Sequence, residues 1–355
     1  MPARFHTVPS PFLAALFVAF GLTAPSQACT TFCLRDDGRI LFGKNYDWNV
    51  GDGLLVVNQR GLARKADISK DKPASWTSRY GSVTFNQYGR DFPSGGMNEA
   101  GLVIELMWME SSRYPDPDQR PAVDVLQWIQ YNLDSYATVA EVLAADQKIR
   151  INGDIPLHYL VADRKGQVAT VEFLDGRLVA HTGKSLPVAA LTNSPYKESE
   201  QARQEAKARQ APQGPSSLAR FARAADRVKA FDGAKGDAVA YAFETLDQVA
   251  QGSHTQWSIV YEIDRARIHF RTQSHRPVRT LSLKGLSFDC GQPVRVLSLD
   301  AKVEGDVARH LVPYTRQINY DVLRASASKT PFLASTPAAE LERWAAYPDA
   351  AVCRR

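Results

Sequence analysis

An apolar stretch, Pro11 to Thr23, gives way to Ala24-Pro25-Ser26-Gln27-Ala28 and stops directly before Cys29. This order of apolar run and small-residue exit is that of a secretory leader, too short to span a bilayer. Residues 1–28 are therefore expected to be removed, leaving residues 29–355 as one domain that begins at Cys29. The next residues bend back on themselves. TTFCLR and RILFGK flank Asp36-Asp37-Gly38, a hairpin signal that returns a second strand alongside the first. Any fold must accommodate a paired strand whose first residue is the new terminus, with Lys44, Asn45 and Asp47 delivered beside it.

A terminal cysteine combines a thiol nucleophile with an α-amine whose reference pKa, about 7.7 to 8.0, makes it a usable base near neutrality. Two other readings stay open. A lipoprotein cut would leave the same cysteine but acylate its amine, although Ser26 rather than leucine stands three residues before the cut. Cys29 could also be half of a structural disulfide. The other cysteines are Cys33, Cys290 and Cys353, too few for a disulfide scaffold at this length. One arrangement is a Cys290 to Cys353 bridge tying down the C-terminus, with Cys33 a buried thiol.

Further strands are expected at 54–57, 80–85, 101–108, 157–163, 167–174 and 187–192, with helices over 122–133 and 138–145, then 217–231 and 237–249, and a late hairpin through WSIVYEI and RIHFRT. Blocks of strands alternating with blocks of helices point to layered mixed sheets rather than a doubly wound parallel sheet. The charged stretch 197–213 reads as a solvated helix in preference to a lid. A formal net charge of +5 spread along 355 residues is too mild to indicate nucleic acid as a partner. Past the leader no run approaches a membrane span. There is no Gly-rich phosphate loop and no His/Cys cluster at metal spacing, so no cofactor or metal is implied.

Five segments in order carry a resemblance: Gly43-Lys44-Asn45-Tyr46-Asp47-Trp48 behind Cys29-Thr30, Gly96-Met97-Asn98-Glu99-Ala100-Gly101-Leu102, Leu191-Thr192-Asn193-Ser194-Pro195, Arg220-Phe221, and Thr255-Gln256-Trp257. Together they resemble the choloylglycine hydrolase family of N-terminal-nucleophile hydrolases, the bile salt hydrolases and penicillin V acylases, over nearly all of the chain past the leader. The resemblance implies an α+β fold with four αββα layers, a small-molecule amide as substrate and a homotetramer. It implies Cys29 as nucleophile with its own α-amine as base, Asp47 orienting that amine, Asn193 as oxyanion donor and Arg220 holding the network. Without it, Asp47 reads as a turn carboxylate, Asn193 as an Asx-turn before Pro195, and Arg220 as one of several helix-surface arginines.

Two positions depart from the family pattern. Lys44 stands where arginine is common three residues before the aspartate, keeping the charge but not the planar fork. Trp108 stands where bile salt hydrolases carry an asparagine, as in Gram-negative penicillin V acylases, leaving backbone N–H groups to complete an oxyanion hole with Asn193. Trp48 and Trp108 are expected to wall the substrate site, suiting an aryl-acyl group of the penicillin V type or the fatty chain of an N-acyl homoserine lactone. Conjugated bile salts come next. Trp76, Trp128 and Trp344 are expected to be packing residues. An exported, periplasmic or secreted amidohydrolase is thus expected; the competing classes are a lipid-anchored binding protein of the same fold and a glutaminase-type domain, which would need a synthase domain absent here.

Overall fold

A computed structural model describes residues 29–209 and 214–354; the expected leader, 1–28, lies outside the described residues. The first hairpin forms as its turn residues require. Strand β1 (Thr30–Asp36) pairs antiparallel with β2 (Arg39–Asp47), Thr30 opposite Asn45 and Asp36 opposite Arg39. Asp37 and Gly38 take φ of 47° and 72°, the left-handed pair of a two-residue turn whose twist matches the strands. Gly43 faces Phe32 across this pair, and a Cβ there would come within 2.3 Å of the Phe32 ring, so only glycine lets the ring lie over the strand.

β1 and β2 sit inside a seven-stranded sheet that continues through Thr255–Glu262 and Arg267–Thr272. A second sheet of nine strands places Val103–Trp108 between Leu157–Ala162 and Gly95–Asn98. The two inner faces are largely apolar and pack on each other: Phe85 of the second sheet meets Tyr261 and Phe270 of the first edge-on, at 6.3 and 5.5 Å between ring centres. Helices α1 (Val125–Ser135) and α2 (Val139–Ala144) cover the outer face of the nine-stranded sheet. After α3 (Tyr196–Arg209), helices α4 (Ser217–Ala230) and α5 (Ala238–Gln248) cover the outer face of the other. The layering is αββα, as expected.

Several boundaries move for local reasons. The helix expected from 122 begins at Val125, because Asp124 caps it by accepting from the Leu126 N–H at 2.8 Å, while Ala122–Val123 pair as a short strand with Arg150–Ile151. The strand expected over 187–192 shrinks to Ala190–Leu191, since Pro187 has no N–H to give a ladder. The charged stretch is helical as far as Arg209, but α3 is not simply solvated: Ser199, Glu200 and Arg203 are buried where it packs on α4. A helix pair that the sequence reading did not anticipate, α6 (Arg316–Lys329) and α7 (Ala338–Ala346), closes the chain. Cys290 and Cys353 are bridged and Cys33 is a buried free thiol, as the arrangement above has it.

Candidate active site

Cys29 lies at the head of β1, buried, with Sγ 3.9 Å from the Asp47 carbonyl oxygen at the tail of β2. The hairpin register alone brings these two residues together. The Asp47 carboxylate enters the interior beneath them. Thr255 donates its hydroxyl to Asp47 Oδ1 at 2.5 Å, whereas Oδ2 is buried with no hydrogen-bond partner. Burial pushes the Asp47 carboxyl up to about 7, against the downward pull of the Thr255 hydrogen bond and the Arg220 and Lys44 charges. The Cys29 thiol is raised by burial too; Lys44 pulls it back, Asp47 adds to the rise, and its hydrogen bond to the Asp47 backbone and Arg220 oppose it.

Arg220 is wholly buried, which excludes its reading as a surface residue. From the first turn of α4 its guanidinium donates to the Cys29 carbonyl at 2.6 Å, the Thr30 hydroxyl at 2.7 Å, the Asn193 Oδ1 at 2.8 Å and the Pro215 carbonyl at 3.1 Å. Because a guanidinium can only donate, the Asn193 oxygen must face Arg220 and its NH2 must face the other way. There Nδ2 donates one hydrogen to the Trp108 carbonyl at 2.9 Å. The Asn193 backbone N–H is held by the Ser217 hydroxyl at 3.0 Å. Asn193 is thus a clamped side chain rather than an Asx-turn.

Lys44 projects from the opposite face of β2 into the space between the sheets, fully buried, donating to the Leu106 carbonyl with Glu105 Oε2 at 3.9 Å. Tyr261 donates to Glu105 Oε1 at 2.5 Å, and the carboxyl is pushed by burial to about 7, with Lys44 and Tyr261 opposing the rise. A Cβ at Gly95, the cross-strand partner of Glu105, would fall 2.1 Å from that carboxyl carbon, so glycine makes room for the ion pair.

Cys29 opens onto a cavity of about 390 Å³. Trp48 and Trp108 both line it, their ring centres 6.2 Å apart. Trp48 Nε1 donates to the Tyr88 hydroxyl at 3.0 Å and Trp108 Nε1 to Glu110 at 2.8 Å, which fixes both indoles at the wall. Leu106, Leu126 and Leu157 add aliphatic surface. The far wall corrects one expectation: Trp344 is not a packing residue but lines the cavity from α7, beside Arg343, with Phe332 and Leu333 from the α6–α7 connection. Arg343 is anchored there to Asp67 at 2.9 Å and Glu340 at 2.8 Å. An amphipathic stretch behind the Thr315 cap was the signal for these helices, but nothing local says that they return to residue 29. Trp128, by contrast, packs in the core and stacks on Tyr159, and Trp76 donates to Asp134. Among the described residues no group of three or more His, Cys, Asp and Glu side chains could hold a metal ion, and no helix is long and apolar enough to cross a membrane.

Residues 29–206 match the family of linear amide C-N hydrolases, choloylglycine hydrolase family. That span is narrower than the near-complete resemblance read from the segments: Arg220 and Thr255–Trp257 lie beyond it. A penicillin V acylase from Pectobacterium atrosepticum is 29% identical over 195 residues, 49% of this chain and 51% of that protein, so the match spans about half the length of this curated relative. The structure of a penicillin V acylase from Agrobacterium tumefaciens superposes with a TM-score of 0.72 at 26% identity, covering 81% of this chain and 98% of that one. A conjugated bile acid hydrolase variant from Clostridium perfringens shares the fold, with a TM-score of 0.64 at 19% identity over 78% of this chain and 97% of that one.

Proposed function

The chain belongs to the choloylglycine hydrolase family of linear amide C-N hydrolases, and from that premise we propose that it hydrolyses an acyl amide through Cys29, made N-terminal by removal of residues 1–28 on export to the periplasm or beyond. Asp47 carries this assignment. A buried carboxylate oxygen with no partner is costly, and Oδ2 of Asp47 lacks one beside the residue whose nitrogen would become a free amine. The α-amine, which has N–H donors in its neutral as in its charged form, supplies the missing donor.

In the proposed reaction the α-amine takes the thiol proton and Sγ attacks the amide carbon, putting negative charge on the carbonyl oxygen. Asn193 retains one N–H beyond the one given to Trp108, and it serves as the oxyanion donor. Collapse breaks the C–N bond, and the leaving nitrogen receives the proton from the α-ammonium. Water, deprotonated by the same amine, then attacks the thioester; the acid leaves and the thiol is restored. Lys44 and Arg220 favour the thiolate by charge.

The apolar cavity suits the acyl side of the substrate, a phenoxyacetyl group packed against the indoles or the chain of an N-acyl homoserine lactone reaching towards Trp344. Conjugated bile salts are the second substrate reading, and homotetrameric assembly follows the family. The test sets wild type beside Cys29→Ser against penicillin V, medium- and long-chain acyl homoserine lactones and glycocholate. Hydrolysis by wild type alone supports the proposal; equal rates on every substrate overturn it. Mass spectrometry of the mature N-terminus must show an unmodified Cys29, since an acylated one leaves the site without its base and favours a lipid-anchored binding protein.

A further inference from the structure

Asn193 is held by more than its side chain. The strand Leu157–Ala162 carries His158 into the sandwich, wholly buried, where Nε2 lies 2.7 Å from the Thr192 carbonyl oxygen. Its Nδ1 lies 3.3 Å from Oε1 of Glu172, on the neighbouring strand Val168–Leu174 and equally buried. The same Oε1 accepts the Tyr196 N–H at 2.8 Å. One buried pair therefore grips the backbone on both sides of Asn193, at 192 and at 196.

Both partners of the imidazole are acceptors, a carbonyl and a carboxylate. A neutral ring has one N–H and would set a lone pair against one of them; only the doubly protonated ring satisfies both. Glu172 Oε1 accepts from Tyr196 as well, and the Thr192 carbonyl oxygen faces Nε2 at 2.7 Å. Met107 is the cross-strand neighbour of His158 on its other side, and the turn itself presents only the Thr192 carbonyl and the Tyr196 N–H. His181, on the strand beyond, reaches Glu172 Oε2 at 3.5 Å and adds positive charge there when protonated. Burial alone would raise the Glu172 carboxyl, but the hydrogen bonds from His158 and His181, the His158 charge and the Tyr196 N–H hold it down at about 2.

We infer that His158, as an imidazolium paired with Glu172, is a positioning residue that sets the Thr192–Tyr196 turn and through it the Asn193 amide. This rests on the proposed role of Asn193 in amide hydrolysis. The pair never touches substrate, and its effect passes through Asn193. Loss of either side chain frees the turn at Thr192 or at Tyr196 and loosens the oxyanion donor.

A double-mutant cycle reads this out. His158→Asn and Glu172→Gln should each lower kcat about 10- to 100-fold with KM within about 2-fold, a loss of the size of one weakened oxyanion donor. In the Asn193→Ala background the same substitutions should cost less than about 2-fold. An equal loss in both backgrounds overturns the inference, as does a change confined to KM. If His158→Asn fails to fold, Glu172→Gln alone runs the cycle. Independently of turnover, 15N spectra of the labelled wild-type protein at pH 7 should show both nitrogens of His158 protonated; a neutral tautomer overturns the inference. Absence of any amide hydrolysis by wild type would defeat the proposed function, and the spectrum would still decide the state of His158.

Discussion

Arg220 joins the Cys29 carbonyl to the Asn193 side chain, donating to the first at 2.6 Å and the second at 2.8 Å from two arms of one guanidinium. The proposed nucleophile and oxyanion donor come from the head of β1 and from the turn after the strand Ala190–Leu191, and a rigid fork sets their spacing. Arg220→Lys should lower kcat by about 100-fold and destabilise the chain by about 3 kcal/mol, because an ammonium cannot reach four acceptors in the plane that the guanidinium fills. Steady-state kinetics beside thermal unfolding checks both effects, and an active, equally stable variant would refute the bridging role.

Asp47 links pH to stability. Its folded value, about 7, lies above its unfolded one, so the stability it contributes is fully present below about pH 4 and is lost as pH rises through about 7. Asp47→Asn should therefore stabilise the full-length chain at pH 8, by up to about 4 kcal/mol, change little at pH 4, and abolish hydrolysis. In the cut chain the free amine pairs with the carboxylate, and the gain at pH 8 should shrink. Denaturant unfolding of both forms at the two pH values measures this.

Removing Lys44 leaves Glu105 buried without its cation. Glu105 is already raised to about 7, so Lys44→Met should be most damaging above that pH, costing about 3 kcal/mol at pH 8 and less at pH 5, where the carboxyl is neutral. The Cys29 thiol should also become harder to ionise, which slower alkylation by iodoacetamide at pH 8 would report.

Trp344 and Phe332 should matter according to the length of the acyl chain. Replacing either with alanine removes apolar cavity wall, so KM for a long-chain acyl amide should rise, by about tenfold or about 1.5 kcal/mol of binding for the larger indole, while kcat on a short acyl amide stays unchanged. A kcat effect with no dependence on chain length would place these residues outside the substrate site.

The Cys290 to Cys353 bridge closes a loop of 63 residues that contains α6 and α7. In the chain-entropy picture it contributes about 4 kcal/mol. Reduction should lower the melting temperature and raise KM for long acyl substrates together, since the same loop carries the far wall of the cavity.

How much of this is legible in the sequence follows from the range of each interaction. The β1–β2 hairpin is written in Asp37-Gly38 and needs nothing distant, so the meeting of Cys29 with Asp47 could be anticipated. The tryptophan walls and Arg220 came from resemblance, because periodicity could not tell a buried arginine from its neighbours on α4. Trp344 was misassigned for a physical reason: a half-buried indole on an amphipathic helix looks the same whether it faces a core or a cavity. His158 gave no such signal: strand pairing sets it opposite Glu172 within one sheet, but the Thr192 carbonyl becomes its neighbour only when the two sheets stack.

The cavity is opened by residue 29 and finished by residue 344. During synthesis, a chain that has emerged only as far as residue 315 holds the thiol, Asp47 with Thr255, Asn193, Arg220 and both indoles, but lacks the part of the cavity wall that comes from α7 and the segment before it. On the proposed reading, chemical competence and the grip on a long acyl chain are acquired at different moments, and a protein truncated before α6 would keep Cys29 while losing its discrimination of chain length.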